Sequence, residues 1–257
     1  MELDETPVYI SGGASGLGAA TAEFLAVAGA RVGILDLDAD RGAQLASELG
    51  GAFAECDVAS AASMEAAFEA LRAEIGPPRV AVACAGIGAG RKLVGRGGPH
   101  PLDAFERVVA VNLIGVFNLV RLAAWEMRSL EPVGADGERG VLVMTSSIAA
   151  TDGVDGGVAY SASKGGVAAM TLPLARDLAP WGIRTVSISP GSFDTPMVAT
   201  MPAEYAEQMA AATPFPRRFG QPAEFARLCE HVITNPMING ADLRIDGGLR
   251  MSPSVLR

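Results

Sequence analysis

Seven short apolar runs rich in β-branched residues recur along the chain, at Val8–Ser11, Arg31–Asp36, Ala52–Cys56, Val80–Cys84, Val141–Thr145, Thr185–Ser189 and Leu243–Ile245. Helical patterns fill the intervals. Met64, Phe68, Leu71 and Ile75 recur at i, i+4, i+7 and i+11, one apolar stripe of a 3.6-residue period. Ser60 or Ser63 is placed to cap that helix, and Gly76-Pro77 stops it. Nothing else in the sequence constrains the fold as tightly. Strands alternating with helices are joined by crossovers, so they build a mainly parallel sheet with helices on both faces. No repeat, charge block or linker interrupts the rhythm. The expectation is one α/β domain over 1–257, a doubly wound parallel sheet of about seven strands, and a chain of 257 residues can fill such a domain.

Charge and cysteine usage exclude several roles. A net charge of −9 and a pI near 4.8 argue against nucleic-acid binding, which relies on Lys and Arg neutralising phosphates. The longest uncharged run, Thr6–Ala22, holds Pro7 and four glycines, so no membrane span is expected. Glu2, Asp4 and Glu5 stand where a secretory signal would be basic. Cys56, Cys84 and Cys229 form no C-x-x-C pair, which fits reduced thiols in a cytoplasmic chain without a zinc cluster. His100 and His231 lack a partner pattern, and no metal is expected. Trp125 and Trp181 read as packing residues.

The first strand runs into Ser11-Gly12-Gly13-Ala14-Ser15-Gly16-Leu17-Gly18, followed by a helical stretch. Glycines at 12, 16 and 18 permit a tight turn and let backbone N–H groups approach a pyrophosphate at a helix N-terminus. This is a Rossmann-like arrangement, although G-x-x-x-G-x-G departs from the common G-x-G-x-x-G spacing. Asp36 ends the second strand, about 20 residues past the turn, where an acid accepts hydrogen bonds from adenosine ribose hydroxyls. Its charge would repel a 2′-phosphate, and no Arg or Lys lies between Asp36 and Asp40, so NAD is favoured over NADP. Asp38 reads as a solvated loop residue.

Tyr160 and Lys164 lie four apart in Tyr-Ser-Ala-Ser-Lys, on one helical face. A free tyrosine has a pKa of about 10 and is a poor base near neutrality. An ammonium about 4 Å away would supply roughly 4 kcal/mol at an effective dielectric of 20, lowering that pKa by up to about 3 units. Such a tyrosinate could take the proton of an alcohol while its hydride leaves for a nicotinamide.

With these residues in view, the chain resembles the short-chain dehydrogenase/reductase family. Ser-Gly-(x)3-Gly-x-Gly, Asn112 in Val-Asn-Leu, Ser147, and Tyr160-(x)3-Lys164 carry the likeness. It narrows to the type 2 3-hydroxyacyl-CoA dehydrogenases through Ala-Cys-Ala-Gly-Ile (83–87), Ala-Tyr-Ser-Ala-Ser-Lys-Gly-Gly (159–166), Met-Thr-Leu-Pro-Leu-Ala-Arg-Asp-Leu-Ala-Pro (170–180) and two C-terminal stretches, 214–225 and 239–251. The resemblance implies that Tyr160 is the acid/base, that Ser147 binds the substrate oxygen, and that Lys164 holds the nicotinamide ribose. Ser147 precedes Tyr160 by 13 residues, the separation the family uses; Ser146, its rival, fits less well. Asn112 would position a relay water, Asp57 and Val58 the adenine, and Pro190-Gly191…Thr195 the nicotinamide side. Ser15, Leu17, Cys84, Ala85, Gly86 and Phe193 would line the cofactor site, Cys84 through its backbone. The implied activity is NAD-dependent, reversible oxidation of 3-hydroxyacyl-CoA to 3-oxoacyl-CoA by a homotetramer, in fatty acid metabolism. Reduction of 3-oxoacyl carriers, oxidation of hydroxysteroids, and a non-catalytic NAD-binding scaffold are the alternatives. Ser11 stands where the family usually has Thr, and Ala83 where it usually has Asn.

Three stretches break the strand–helix rhythm. Residues 87–101 carry five glycines, Arg91, Lys92 and Arg96, and no acid; the cations could dock the phosphates of a CoA handle or simply be solvated. Residues 190–222 are proline-punctuated; Met197, Met201, Tyr205, Met209 and Phe215 could form a lid over an acyl chain or pack as helix faces. Residues 131–140 read as a polar surface loop.

Overall fold

Each of the seven apolar runs forms a strand, with ends within two residues of those expected. The computed structural model describes residues 1–88, 90–199 and 203–251. Its strands are β1 (Pro7–Ser11), β2 (Arg31–Asp36), β3 (Ala52–Glu55), β4 (Val80–Ala83), β5 (Val94–Gly95), β6 (Gly98–Pro99), β7 (Gly140–Thr145), β8 (Ile183–Pro190) and β9 (Asp242–Ile245). All but β5 and β6 join one parallel sheet in the order β3-β2-β1-β4-β7-β8-β9. The helices are α1 (Gly16–Val27), α2 (Ala39–Leu49), α3 (Ala61–Ile75), α4 (Leu102–Val109), α5 (Gly115–Met127), α6 (Ala149–Asp152), α7 (Val158–Leu178), α8 (Pro196–Ala199), α9 (Ala203–Ala211) and α10 (Pro222–Thr234).

Helices on both faces bury the sheet between two apolar clusters. One gathers Met64, Phe68, Leu71 and Ile75 of α3 with Leu119, Ala123 and Met127 of α5. The other sets Ala22 and Leu25 of α1 against Phe225, Cys229 and Ile233 of α10. Strand order reverses between β1 and β4, which opens a crevice at their carboxyl ends, the place where such sheets bind ligands. Ser60 is the N-cap of α3, and Ser63 lies inside its first turn, bracing the chain ahead of it. Ser60 accepts from the Ser63 amide at 3.3 Å, and Ser63 accepts from the Asp57 amide at 3.0 Å.

Four sequence readings need correction. Asp38 is the N-cap of α2, accepting from the Arg41 amide at 3.1 Å, because a carboxylate satisfies a free amide of the first turn. Residues 131–140 are not merely a surface loop: Glu138 is buried and pairs with Arg184 at 2.7 Å. Trp125 and Trp181 are substantially exposed, and Arg128 stacks 3.5 Å from the Trp125 ring centroid. Finally, α4, a π-helical turn at Ala110–Ile114 and α5 run on as one 26-residue helix long and apolar enough to cross a membrane. Run length overlooked it because Arg107 and Arg121 interrupt the apolar stretch. Its Val116, Leu119, Val120, Ala123 and Met127 are buried in the core cluster, so that hydropathy serves packing.

Candidate active site

The strand ends bring the predicted cofactor residues together. The amide of Gly12 donates to the Leu35 carbonyl at 2.8 Å, and the amide of Cys84 donates to the Ser11 carbonyl at 2.9 Å. Gly12 has φ +69°, and a Cβ there would lie 2.5 Å from the Ala85 amide nitrogen, so only glycine closes this turn. Ser15 is the N-cap residue of α1, whose first turn contains Leu17 and Gly18. At Gly16 a Cβ would meet Thr195 at 3.5 Å, which places the 190–196 loop over the glycine turn. Phe193, 6% exposed, anchors that loop edge-on against Phe225.

Asp36 does more than end β2. One of its oxygens accepts from the Ala14 amide at 2.9 Å and the other from the Asp38 amide at 3.0 Å. The carboxylate therefore fixes the glycine turn and keeps lone pairs for a diol. Asp57 braces its own turn by accepting from the Ala59 amide at 2.9 Å. Val58 packs against Gly115, and its carbonyl accepts from Asn118 at 3.1 Å. A glycine-lined approach for phosphate, a ribose-type acid and an apolar flank are the groups an adenine dinucleotide needs, and these residues fit one.

The catalytic set forms where β4, β7 and α7 meet. Ser146 is spent on structure: its hydroxyl is buried and donates to the Lys164 carbonyl at 2.9 Å. Ser147 points instead toward the Tyr160 phenol, accepting from the Ala149 amide at 3.1 Å. The Lys164 ammonium is buried and donates to the Thr145 carbonyl at 2.7 Å. Gly86 lies beside it; a Cβ there would sit 3.6 Å from Nζ.

The expected electrostatics need revision. Lys164 Nζ is 5.8 Å from the Tyr160 ring centroid, and its short contact is with Thr145. Burial raises the Tyr160 pKa, opposed by the Ser147 hydroxyl, while burial lowers Lys164 to about 8. Desolvation disfavours both charged forms, so the lysine alone does not make a tyrosinate here. The side chain of Asn112 is held at both ends: Oδ1 accepts from the Ile87 amide at 2.8 Å, and Nδ2 donates to the Ile87 carbonyl at 2.9 Å and to Ser163 at 3.3 Å. It pins the segment after β4 from within a π-helical turn, a feature frequent at functional sites.

Cys84 is a small packing group whose sulfur accepts from the Thr145 hydroxyl at 3.6 Å; burial pushes its thiol up to about 11. Arg91 and Lys92 are exposed, and the Arg91 amide donates to the Gly156 carbonyl at 2.7 Å, tying the basic loop to the turn before α7. Phe215 is 83% exposed and covers no core. Met209 is half-buried, Met201 lies outside the described residues, and so do the side chains of Met197 and Tyr205. Among the described residues no His/Cys/Asp/Glu cluster could hold a metal.

A serine and a tyrosine facing one space, beside a turn shaped for a dinucleotide, suit proton transfer at an alcohol oxygen. The fold and site define a nucleotide-dependent oxidoreductase. Comparison with known proteins narrows the class. The family model described as enoyl-(acyl carrier protein) reductase matches residues 12–250, and the chain belongs to the short-chain dehydrogenase/reductase family. It is 48% identical over 248 residues to 3-hydroxyacyl-CoA dehydrogenase type-2 of Bos taurus, covering 95% of each chain. The crystal structure of 3-hydroxyacyl-CoA dehydrogenase type-2 from Mycobacterium avium superimposes with a TM-score of 0.91 at 40% identity, covering 98% of this chain and 99% of that one. The 3-ketoacyl-(acyl-carrier-protein) reductase of Brucella melitensis, complexed with NADH, gives 0.84 at 27% identity, covering 97% of this chain and 100% of that one.

Proposed function

We propose that this chain is an NAD-dependent dehydrogenase that reversibly oxidises 3-hydroxyacyl-CoA to 3-oxoacyl-CoA. The observation that carries the reading is the Ser147–Tyr160–Lys164 set at the switch point of a sheet whose second strand ends in Asp36. The type-2 dehydrogenases, similar over nearly the whole chain, support the substrate class. When bound, the nicotinamide supplies the hydride acceptor. Ser147 donates a hydrogen bond to the substrate oxygen and holds it beside Tyr160. The Tyr160 phenolate takes the hydroxyl proton, and the Ser147 hydroxyl together with the Lys164 charge, 5.8 Å from the ring, opposes the burial that disfavours that phenolate. Asp36 takes the adenosine ribose diol. Purified protein with NAD and 3-hydroxybutyryl-CoA tests this directly through NADH absorbance. Intact NAD binding without NADH formation would instead favour a scaffold.

Two predictions belong to this reading. Asp36→Ala is expected to raise the KM for NAD about 30-fold, the loss of charged hydrogen bonds worth roughly 2 kcal/mol, and to narrow the preference over NADP. An unchanged NAD/NADP ratio in initial rates would assign the ribose to another group. Arg91→Glu with Lys92→Glu is expected to raise the KM for acyl-CoA about tenfold and leave a CoA-free alcohol unaffected. Equal effects on both substrates would remove CoA from this loop.

Finer points of the reading are the assembly, the metabolic role and the compartment. Ile114, Phe117, Trp125 and Leu172 expose apolar surface on α5, its preceding turn and α7, which supports a homotetramer checkable by light scattering. Acyl-CoA oxidation would place the enzyme in fatty acid metabolism. The three free thiols support a cytoplasmic location, testable by fractionation.

A further inference from the structure

Ser147 and Tyr160 stand at the two ends of one excursion of the chain: the end of β7, the four-residue helix α6, a turn through Gly153 and Gly156, and the start of α7. A single helical turn is marginal by itself, and within α6 only Ala149 is buried. What holds the excursion comes from the far end of the chain. Arg244, on β9, sends its fork into α6: Nη1 donates to the Asp152 carboxylate at 2.8 Å and to the Thr151 hydroxyl at 2.8 Å, and Nη2 donates to Asp152 at 3.1 Å. The same guanidinium binds Asp246 at 2.7 Å and donates to the Leu249 carbonyl at 3.0 Å. Asp152 also accepts from the Met251 amide at 3.1 Å.

These contacts close a ring. The amide of Ile148, next to Ser147, donates to the Pro190 carbonyl at 3.2 Å, and the amide of Gly191 donates to the Ile245 carbonyl at 2.9 Å. A Cβ on Gly191 would sit 2.8 Å from the Asp246 side chain. One cation therefore joins the excursion carrying both reacting hydroxyls to the start of the 190–222 loop, across 92 residues of sequence. Asp152 and Asp246 have side chains only 10% and 9% exposed, so this is an ordered, partly desolvated fork rather than a surface pair.

We propose that Arg244 is a positioning residue for the reaction: its two-carboxylate clamp sets Ser147 relative to Tyr160 without touching substrate or cofactor. The proposal rests on the dehydrogenase reading above. Misplacing a reacting group by about 1 Å can cost about 100-fold in rate. The planar fork matters here, since a lysine cannot reproduce the paired contacts.

The test measures kcat, the KM of the alcohol, the NADH dissociation constant by fluorescence, and thermal unfolding for Arg244→Lys, Arg244→Gln and Asp152→Asn. The expected result is a fall in kcat of about tenfold for the Lys and Asn variants and about 100-fold for Gln, with NADH affinity within twofold of wild type. The Asp152→Asn/Arg244→Lys double variant should be no slower than the slower single one, because both break the same contact. If Arg244→Gln fails to fold, the two conservative variants carry the test. A kcat within twofold of wild type in both, or a loss that follows the folded fraction or the NADH affinity, would overturn the proposal. Turnover of 3-hydroxybutyryl-CoA by the wild type tests the dehydrogenase reading separately, and the variant-to-wild-type ratio is read on whichever alcohol the wild type oxidises.

Discussion

Tyr160→Phe is expected to lower kcat for alcohol oxidation by about a thousandfold and to leave NADH affinity unchanged. The substitution removes one oxygen from a half-buried ring on α7 and leaves the glycine turn, Asp36 and Lys164 in place. General acid–base catalysis by one positioned group contributes about 10²–10⁴-fold, and Ser146 is not free to replace it, since its hydroxyl donates to the Lys164 carbonyl. Full turnover by the variant would mean that the proton leaves by another route. The pH dependence follows from the same pair. Burial holds the phenol's pKa above its ordinary value and lowers the lysine to about 8, so the pair loses its first proton near pH 8. Below that, both protons are held, which suits ketone reduction, where Tyr160 must donate. Above it, Lys164 turns neutral while burial keeps Tyr160 a phenol, so reductive kcat/KM falls with the loss of the ammonium charge that stabilises the phenolate left after proton transfer. Reductive kcat/KM that stays flat to pH 10 would separate catalysis from this pair.

Some of this could be read from residues and some could not, and the division is physical. The sheet was legible because its strands are short runs rich in apolar and β-branched residues, most clearly in β1 and β7, a pattern that burial on both faces imposes locally. Tyr160 and Lys164 were legible because a helix puts i and i+4 on one face. What lies between them was not, since the Thr145 carbonyl that holds Lys164 arrives from β7. Asn112 showed the same limit: its place was clear, but its partners Ile87 and Ser163 lie 25 and 51 residues away. The β5–β6 hairpin was hidden by glycines and prolines that read as loop. Glu138 was hidden by its setting, since a glutamate among Asp, Gly and Arg looks solvated until a buried arginine is seen to face it.

That arginine carries a large expected stability effect and separates stability from chemistry. Arg184→Met is expected to cost roughly 3–5 kcal/mol, the usual penalty for breaking a buried ion pair by removing one partner. Arg184 is 6% exposed near the amino end of β8, away from the carboxyl ends that carry the site. Its Nε donates to Glu138 at 2.7 Å, and Nη1 donates to the Val232 and Ile238 carbonyls at 2.8 Å each. Nη2 donates to the Ile233 carbonyl at 2.7 Å. Val232 and Ile233 belong to the last turn of α10, whose final carbonyls have no donor within the helix, so the guanidinium acts as its cap. Methionine fills the stem's volume but donates nothing, leaving these carbonyls orphaned and the Glu138 carboxylate without its guanidinium. At roughly 2–4 °C per kcal/mol for a domain of this size, Tm should fall by about 10 °C. The kcat at 25 °C should stay within about twofold of wild type. A melting point within about 2 °C of wild type would show that water reaches this cluster. A lost kcat in a folded variant would show that the amino end of the sheet governs the site at its carboxyl end.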